Sequence, residues 1–259
     1  MPTSDQLLLI LPLIFLVAIL YSSVGHGGAS GYLAVISLVG LNTKSFVTTV
    51  LILNVVVASI SFLHYRKPGS FSFQKLLPFI LTSIPASYLG GMWKVSNTVF
   101  QLILSIALLC AAWRLVMPKQ IPSQGEAHRT FENTSLWVIG LPVGLVLGLV
   151  SGMIGIGGGI FLSPILLFLG ITDIKGSAAM ASAFIVLNSI AGLAGHASEF
   201  PALFGQHGLT ANALIAVAVI GALLGSRWGA YKTQPRTLQY VLASVLVFAS
   251  VKLVLAVIA

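Results

Sequence analysis

Residues 7–41 read LLLILPLIFLVAILYSSVGHGGASGYLAVISLVGL, an apolar run from Leu7 to Leu20, the glycine cluster Gly25-His26-Gly27-Gly28, and a second apolar run ending at Leu41. The pattern returns over residues 141–171, LPVGLVLGLVSGMIGIGGGIFLSPILLFLGI, where the interruption is Gly155-Ile156-Gly157-Gly158-Gly159. A helix needs ~20 residues to cross ~30 Å of hydrocarbon, and at ~1.5 Å per residue the roughly 13 residues after each cluster reach only ~20 Å. Residues 151–159 hold five glycines, each costing a continuous helix roughly 1 kcal/mol relative to alanine. Each stretch therefore predicts a long helix, a break in the backbone and a helix of half-membrane length.

Outward from these stretches the composition decides the solvent. Of 259 residues 57% are hydrophobic and only 7% charged, with a mean hydropathy of +1.03. A soluble domain carries roughly 25% charged residues, so this chain cannot cover a water-facing surface and is expected to sit in lipid. Ten apolar segments are legible, at 6–22, 29–41, 45–63, 75–93, 97–117, 135–151, 158–170, 176–195, 209–228 and 235–258. The expected fold is an all-α, polytopic membrane protein, one domain over 1–259. The polar stretch 118–134, with Pro118, Pro122 and Gly125, joins two internal repeats, 1–117 and 135–259. The first run, ending in Tyr21-Ser22-Ser23, lacks a small-x-small cleavage site, so it is expected to stay as a helix rather than leave as a signal peptide.

The repeat is carried by matches in constant order. Gly25, Gly27, Gly28 and Leu41 recur as Gly155, Gly157, Gly158 and Ile171; Lys44 is answered by Lys175, Asn54 by Asn188, and Gly90 and Trp93 by Gly225 and Trp228. The offset drifts from 130 between Gly25 and Gly155 to 138 between Gln101 and Gln239. With five segments per half, Arg66, Lys67, Lys75, Arg114, Lys119, Arg129, Lys175, Arg227, Lys232 and Arg236 fall on one side and Lys44, Lys94 and Lys252 on the other. Cytoplasmic loops carry the excess of basic residues, which places both termini outside the cytoplasm and inverts the second half relative to the first. The parity is the same if the first two segments of a half form a re-entrant pair. Inverted repeats with glycine-interrupted segments mark alternating-access transporters.

Broken backbone is tolerated in a membrane only where it is buried in protein or lines a wet cavity. Its N–H groups, with the positive dipole end of the restarting helix, can hold an anion without lysine or arginine. The candidate binding residues are Ser22, Ser23, Gly25, His26, Gly27, Gly28, Ser30 and Asn54 in the first half and Ser151, Gly155, Gly157, Gly158, Gly159 and Asn188 in the second. Scattered glycines such as Gly144 and Gly148 read instead as close-packing positions between helices. His26 is either a donor or proton carrier in the site or a neutral histidine bonded to backbone. Asn54 and Asn188 either cross-link helices or face a cavity. His64 and His196, at segment ends, read as interfacial, and His128 and His207 as loop residues.

The same residues exclude other classes. A net charge of +8 is spread singly over 13 Lys and Arg, with no basic stripe for nucleic acid. The lone Cys110 allows no internal disulfide or cysteine metal cluster, and no cofactor or metal site is expected. Asp5, Glu126, Glu132, Asp173 and Glu199 all lie in loops or tails, so neither paired catalytic carboxylates nor a carboxylate cation site is expected, and the chain does not read as an enzyme.

The stretches Gly25-His26-Gly27-Gly28 and Gly152-x-x-Gly155-x-Gly157-Gly158-Gly159, each after the first segment of its half, resemble the sulfite exporter TauE/SafE family over essentially the whole chain. That resemblance implies transport of a small sulfur-containing anion, such as sulfite or an organosulfonate, across the bacterial cytoplasmic (inner) membrane. The expected partners are thus this anion and the lipid bilayer. Proton coupling, oligomeric state and direction of transport are left open. A passive anion channel, or a membrane enzyme or assembly factor using His26, are the rival readings.

Overall fold

A computed structural model describes residues 3–41, 46–67, 71–93, 133–197 and 208–232, with single positions at 96, 98, 240, 244, 247, 251 and 255. All of segment 97–117 but position 98, the linker 118–134 up to residue 132, and most of 235–258 lie outside the described residues, as do Lys44, Cys110, His128 and His207.

The described residues are helical throughout, without strands. The helices are α1 (Ser4–Ser22), α2 (Ala29–Leu38), α3 (Val47–Tyr65), α4 (Phe73–Met92), α5 (Asn133–Ile154), α6 (Gly159–Phe168), α7 (Ile174–Gly195) and α8 (Gly208–Arg227), the last running into a π-helical turn at Trp228–Lys232. Their starts follow local chemistry: a Thr3/Gln6 capping box opens α1, and the Asp173 carboxylate accepts the Gly176 N–H at 2.7 Å at the head of α7. Five helices, α1, α3, α5, α7 and α8, are long and apolar enough to cross a membrane. Helix α4 matches them in its 20 residues, but Gln74, Lys75, Pro78 and Pro85 dilute its hydropathy. The chain is a multi-pass helical membrane protein.

Burial identifies the centre. Half or more of the spans of α7 (61%) and α3 (50%) is buried, against 33% for α1 and α5. The α3–α7 pair forms the axis, with α1 and α8 on one flank and α4 and α5 on the other. Both flanks are seamed by small residues. Gly140, Gly144, Gly148 and Gly152, four apart on α5, press on Pro78, Phe79, Ser83 and Ser87 of α4 in the same order, so α4 and α5 run parallel. Gly221, Gly225 and Gly229 press likewise on Phe15, Ile19 and Ser23, so α8 runs parallel to α1. A side chain at Gly148 or Gly152 would run into the backbone of Ser83 or Ser87, the close approach that small residues permit between membrane helices. The matched pair Gly90 and Gly225 plays the same part in the two flanks, the first against the Leu149 carbonyl and the second against that of Ile19.

The half-length helices fold back as hairpins. The Gln6 side chain at the start of α1 donates to the Val39 carbonyl beyond α2 at 3.1 Å, so α2 returns to the level where α1 began. Lys75, opening α4, donates to the Ile171 carbonyl beyond α6 at 2.8 Å, which returns α6 to the level where α4 and its parallel neighbour α5 start. The second break is shorter than the glycine-rich stretch 151–159 suggests. Helix α5 continues through Ser151, Gly152 and Met153 to Ile154, because Gly152 serves as a packing position against Ser87 and does not unwind the helix. The breaks are confined to Ser23–Gly28 and Gly155–Gly158.

Leu8, Leu9, Leu16, Leu81, Val146, Ile190 and Leu224 are exposed on the outer faces, as lipid contact requires. Trp93 and Trp228 are exposed at helix ends, where aromatic anchors sit. Arg66 and Lys67 after α3, Lys75 and Lys175 opening α4 and α7, and Arg227 and Lys232 ending α8 gather at one end of the bundle.

Candidate functional site

The two glycine loops meet inside the bundle, and Asn54 of α3 joins them. Its Nδ2 donates to the Ile156 carbonyl in the second loop at 3.0 Å and to Ser189 Oγ on α7 at 2.9 Å. Its Oδ1 lies against Gly27 of the first loop, where any side chain would overlap it. Gly157 closes the contact: with φ +75° it is in the left-handed region, and a Cβ there would lie 2.5 Å from Ser189 Oγ and 2.6 Å from Asn54 Nδ2. Glycine is thus required at position 157 twice over, by backbone angle and by space. Each loop also packs on the other half's axial helix, Gly25 against Ala178 of α7 and Gly155 against Val47 of α3.

Loop hydrogen bonding stops short of the restarting helices. Val24, Gly25 and His26 donate back to Tyr21 and Ser22, and Gly155 and Ile156 to Ser151. The next bonds, Tyr32 to Gly28 and Phe161 to Gly158, belong to the first turns of α2 and α6. Between them the N–H groups of Gly27, Gly28 and Ala29, and of Gly157, Gly158 and Gly159, make no such bond, as the first turn of a helix dictates. Two positive helix ends with spare N–H groups therefore face the same interior region.

His26 is buried beside the backbone of Val24 and Gly159, so it too spans the two loops, and neither ring nitrogen makes a hydrogen bond. Buried polar atoms without partners are rare. Two more occur on the paired asparagines, whose roles differ. Asn54 cross-links the halves with Oδ1 unpaired, whereas Asn188 donates to Phe184 of its own helix at 2.9 Å, also with Oδ1 unpaired. Ser87 on α4 donates to the Asn188 carbonyl at 2.8 Å.

The remaining candidates are buried but stand apart from this junction. Ser22 and Ser23 donate to Ile19 and Leu20 of their own helix and lie against Gly225 and Gly229 of α8. Ser30 pairs with the Tyr21 hydroxyl at 3.0 Å, and Ser151 donates to Gly148 at 3.1 Å while covering Gly158. His64 bonds Ser226 on α8 at 2.8 Å, and His196 bonds the Gly152 carbonyl at 3.2 Å, so both tie helices together. The Tyr65 hydroxyl donates to the Ser23 carbonyl. Ser189, which reads from the sequence as a source of a neutral hydrogen bond, accepts one from Asn54 at 2.9 Å, whereas sequence reasoning overlooked Tyr32, a buried tyrosine four residues past Gly28.

Among the described residues no three His, Cys, Asp or Glu side chains come together. The two described acids, Asp5 and Asp173, sit at helix N-termini, away from the loops.

The model of the family described as sulfite exporter TauE/SafE matches residues 10–253, nearly the whole chain and both hairpins. The chain belongs to the TauE/SafE family. Two relatives are similar over most of their length. The "Probable membrane transporter protein y4hK" of Sinorhizobium fredii is 33% identical over 214 residues, 83% of this chain and 86% of the relative. The "Probable membrane transporter protein YunE" of Bacillus subtilis is 25% identical over 212 residues, 75% of this chain and 74% of the relative. No solved structure matches this TauE/SafE chain. It is a membrane transporter of that family, and the two hairpins with Asn54 between them are its candidate site.

Proposed function

We propose that the protein is a secondary transporter, an exporter, of a small sulfur-containing anion such as sulfite or an organosulfonate. The carrying observation is that α2 and α6 both start at the Asn54 junction, with unbonded N–H groups on each side and no described acid beside them. The helix dipoles and these N–H groups supply attraction for an anion, while the missing carboxylates disfavour a cation. The substrate class follows from the family description, sulfite exporter.

The two repeats, 1–117 and 135–259, are read as inverted halves of a single domain. This is supported by the flanks, in which the first helix of each half lies parallel to the fourth helix of the other. The six described cations at one end support reading that end as cytoplasmic, with both termini outside the cytoplasm of a bacterial inner membrane. Rocking of one half against the other, opening the junction to each side in turn, gives alternating access. His26, beside both loops, is the group through which a proton would travel with the anion. Alternating access is favoured over a passive channel because Asn54, Gly27 and Gly157 pack the two loops into contact in this conformation.

The test is the melting temperature of the purified protein against sulfite, sulfoacetate, thiosulfate, sulfate, chloride and simple cations, followed by exchange in proteoliposomes. A ligand that binds only the folded state raises the melting temperature with its saturation. Expected are a shift with a sulfur oxyanion and faster efflux of labelled anion when unlabelled anion waits outside. Shifts with cations alone would sink the substrate class. Efflux indifferent to external anion would favour a channel.

A further inference from the structure

The two loops share left-handed glycines at their first and last positions but differ in the donors around them, and Tyr32 makes the difference. Tyr32 is fully buried in the first turns of α2, and its hydroxyl has no hydrogen-bond partner. Helical side chains lean toward the N-terminus of their helix, and this ring does so: a Cβ on Gly28 would lie 2.8 Å from both its Cζ and its hydroxyl oxygen. The hydroxyl is therefore aimed at the start of α2, where Gly27, Gly28 and Ala29 have their unbonded N–H groups; His26, with two unpartnered nitrogens, stands in the loop that leads into it. Nearby packing can pair a hydroxyl, since Tyr21 finds Ser30 at 3.0 Å. Tyr32 finds nothing in the protein.

The second loop has no counterpart. Adding the loop offset of 130 to 32 gives Leu162, and adding it to 26 gives Ile156. Gly158 is covered by the Phe184 ring and by Ser151, whose hydroxyl is already bonded to Gly148. The second loop has neither imidazole nor phenol, and the polar side chains against Gly157, Asn54 and Ser189, are bonded to each other.

We infer that the anion is bound one-sidedly, on the first loop, with the Tyr32 hydroxyl donating to one of its oxygens and fixing its orientation. A ligand with several acceptor oxygens suits this arrangement, because the Tyr32 hydroxyl and backbone N–H groups meet at the start of α2, with the His26 imidazole in the loop just before it. The second loop then contributes its helix dipole and moves relative to a bound anion rather than carrying it. The inference rests on the reading of the glycine loops as the anion site.

Affinity for sulfite and sulfoacetate is measured by calorimetry on the detergent-purified chain, with chloride balancing ionic strength, for wild type, Tyr32→Phe and the exposed control Tyr88→Phe. Tyr32→Phe keeps the ring and removes only the hydroxyl. Its expected result is an unchanged or higher melting temperature without anion and at least tenfold weaker binding, with Tyr88→Phe behaving as wild type. Wild-type binding that survives within twofold in Tyr32→Phe overturns the inference and leaves the anion site standing. Absence of binding in wild type removes the anion site itself. Should Tyr32→Phe fail to fold, 3-fluorotyrosine at position 32 keeps ring and hydroxyl and makes the hydroxyl a stronger donor. Tighter binding supports the contact, and unchanged or weaker binding overturns it.

Discussion

Gly25 and Gly155 have φ of 78° and 76°, Gly28 and Gly158 have 94° and 72°, and each loop leads into a ten-residue helix. Between those matched glycines the loops differ, Gly157 being left-handed where Gly27 is not, and around them the side chains have parted. The first loop holds His26 and the Tyr32 hydroxyl, where the second holds Ile156 and Leu162. Asn54 reaches across to the second loop, while its counterpart Asn188 bonds its own helix. The backbone break is a requirement of the fold that both halves meet with left-handed glycines at its two ends. On the proposed function, the polar lining answers to a ligand, which need only be satisfied once. If that division is right, damage to the loop backbone should be severe in either half, and damage to the lining should be lopsided.

The severest expected losses are at Gly157 and Gly27, for different reasons. At Gly157 alanine meets both left-handed strain of roughly 1–2 kcal/mol and overpacking of typically ~1–3 kcal/mol, since its Cβ would lie 2.5 Å from Ser189 Oγ and 2.6 Å from Asn54 Nδ2. At Gly27 the angle is ordinary and the principal obstacle is the Asn54 carboxamide. Thermal melts of the single and double variants separate the two. Adding Asn54→Ala should make Gly27→Ala nearly silent, the non-additivity of residues in contact, and should leave Gly157→Ala damaging. Equal rescue of both would show that backbone angle is not what fixes glycine at 157.

Next in size is the asparagine pair. Replacing Asn54 by leucine removes two hydrogen bonds and strands the Ile156 carbonyl and Ser189 hydroxyl. At roughly 1 kcal/mol per bond, and about 1–3 kcal/mol for a buried group left unpaired, a loss of about 2–4 kcal/mol is expected, with transport abolished. Asn188→Leu loses one bond to its own helix, about 1 kcal/mol. Melting curves of the two variants make the comparison, and losses of equal size would mean that the halves are tied together symmetrically after all.

Much of the helix layout could be read from the chain, because hydropathy and length are local. The half-length helices were legible for the same reason, and the packing role of Gly144 and Gly148 followed from the cost of bulk between helices. Loop limits were harder. Gly152 stands in the second cluster yet stays helical, since a glycine that packs and a glycine that unwinds have the same composition, and only the opposing Ser87 backbone tells them apart. The junction was half legible. Asn54 was picked out as a buried amide, but its partners Ile156 and Ser189 lie 102 and 135 residues away. Which of two asparagines crosses the axis depends on how α3 and α7 are set against each other, and no local pattern records that. Tyr32 looked like an ordinary core residue because its distinction is an absent partner.

The smallest expected effects lie at the end of the bundle where the cations gather, and they sharpen the comparison of the halves from outside the site. Lys75 donates to Ile171 beyond α6, joining the first half to the second, whereas Lys175 donates to Ala230 and stays within the second half. Both groups are partly buried, and a hydrogen bond from a charged donor is worth ~1.5–3 kcal/mol when sheltered, falling toward ~0–1 kcal/mol where water and salt screen it. Lys75→Met and Lys175→Met should therefore each cost about 1 kcal/mol or less in the melt. Their transport should differ all the same. Only Lys75 ties the returning end of the second hairpin to the other half, so its loss loosens one element that rocking must part and should change the rate of anion exchange. Lys175→Met should leave that rate near wild type. Exchange rates altered equally by both would place the moving boundary elsewhere than between the halves.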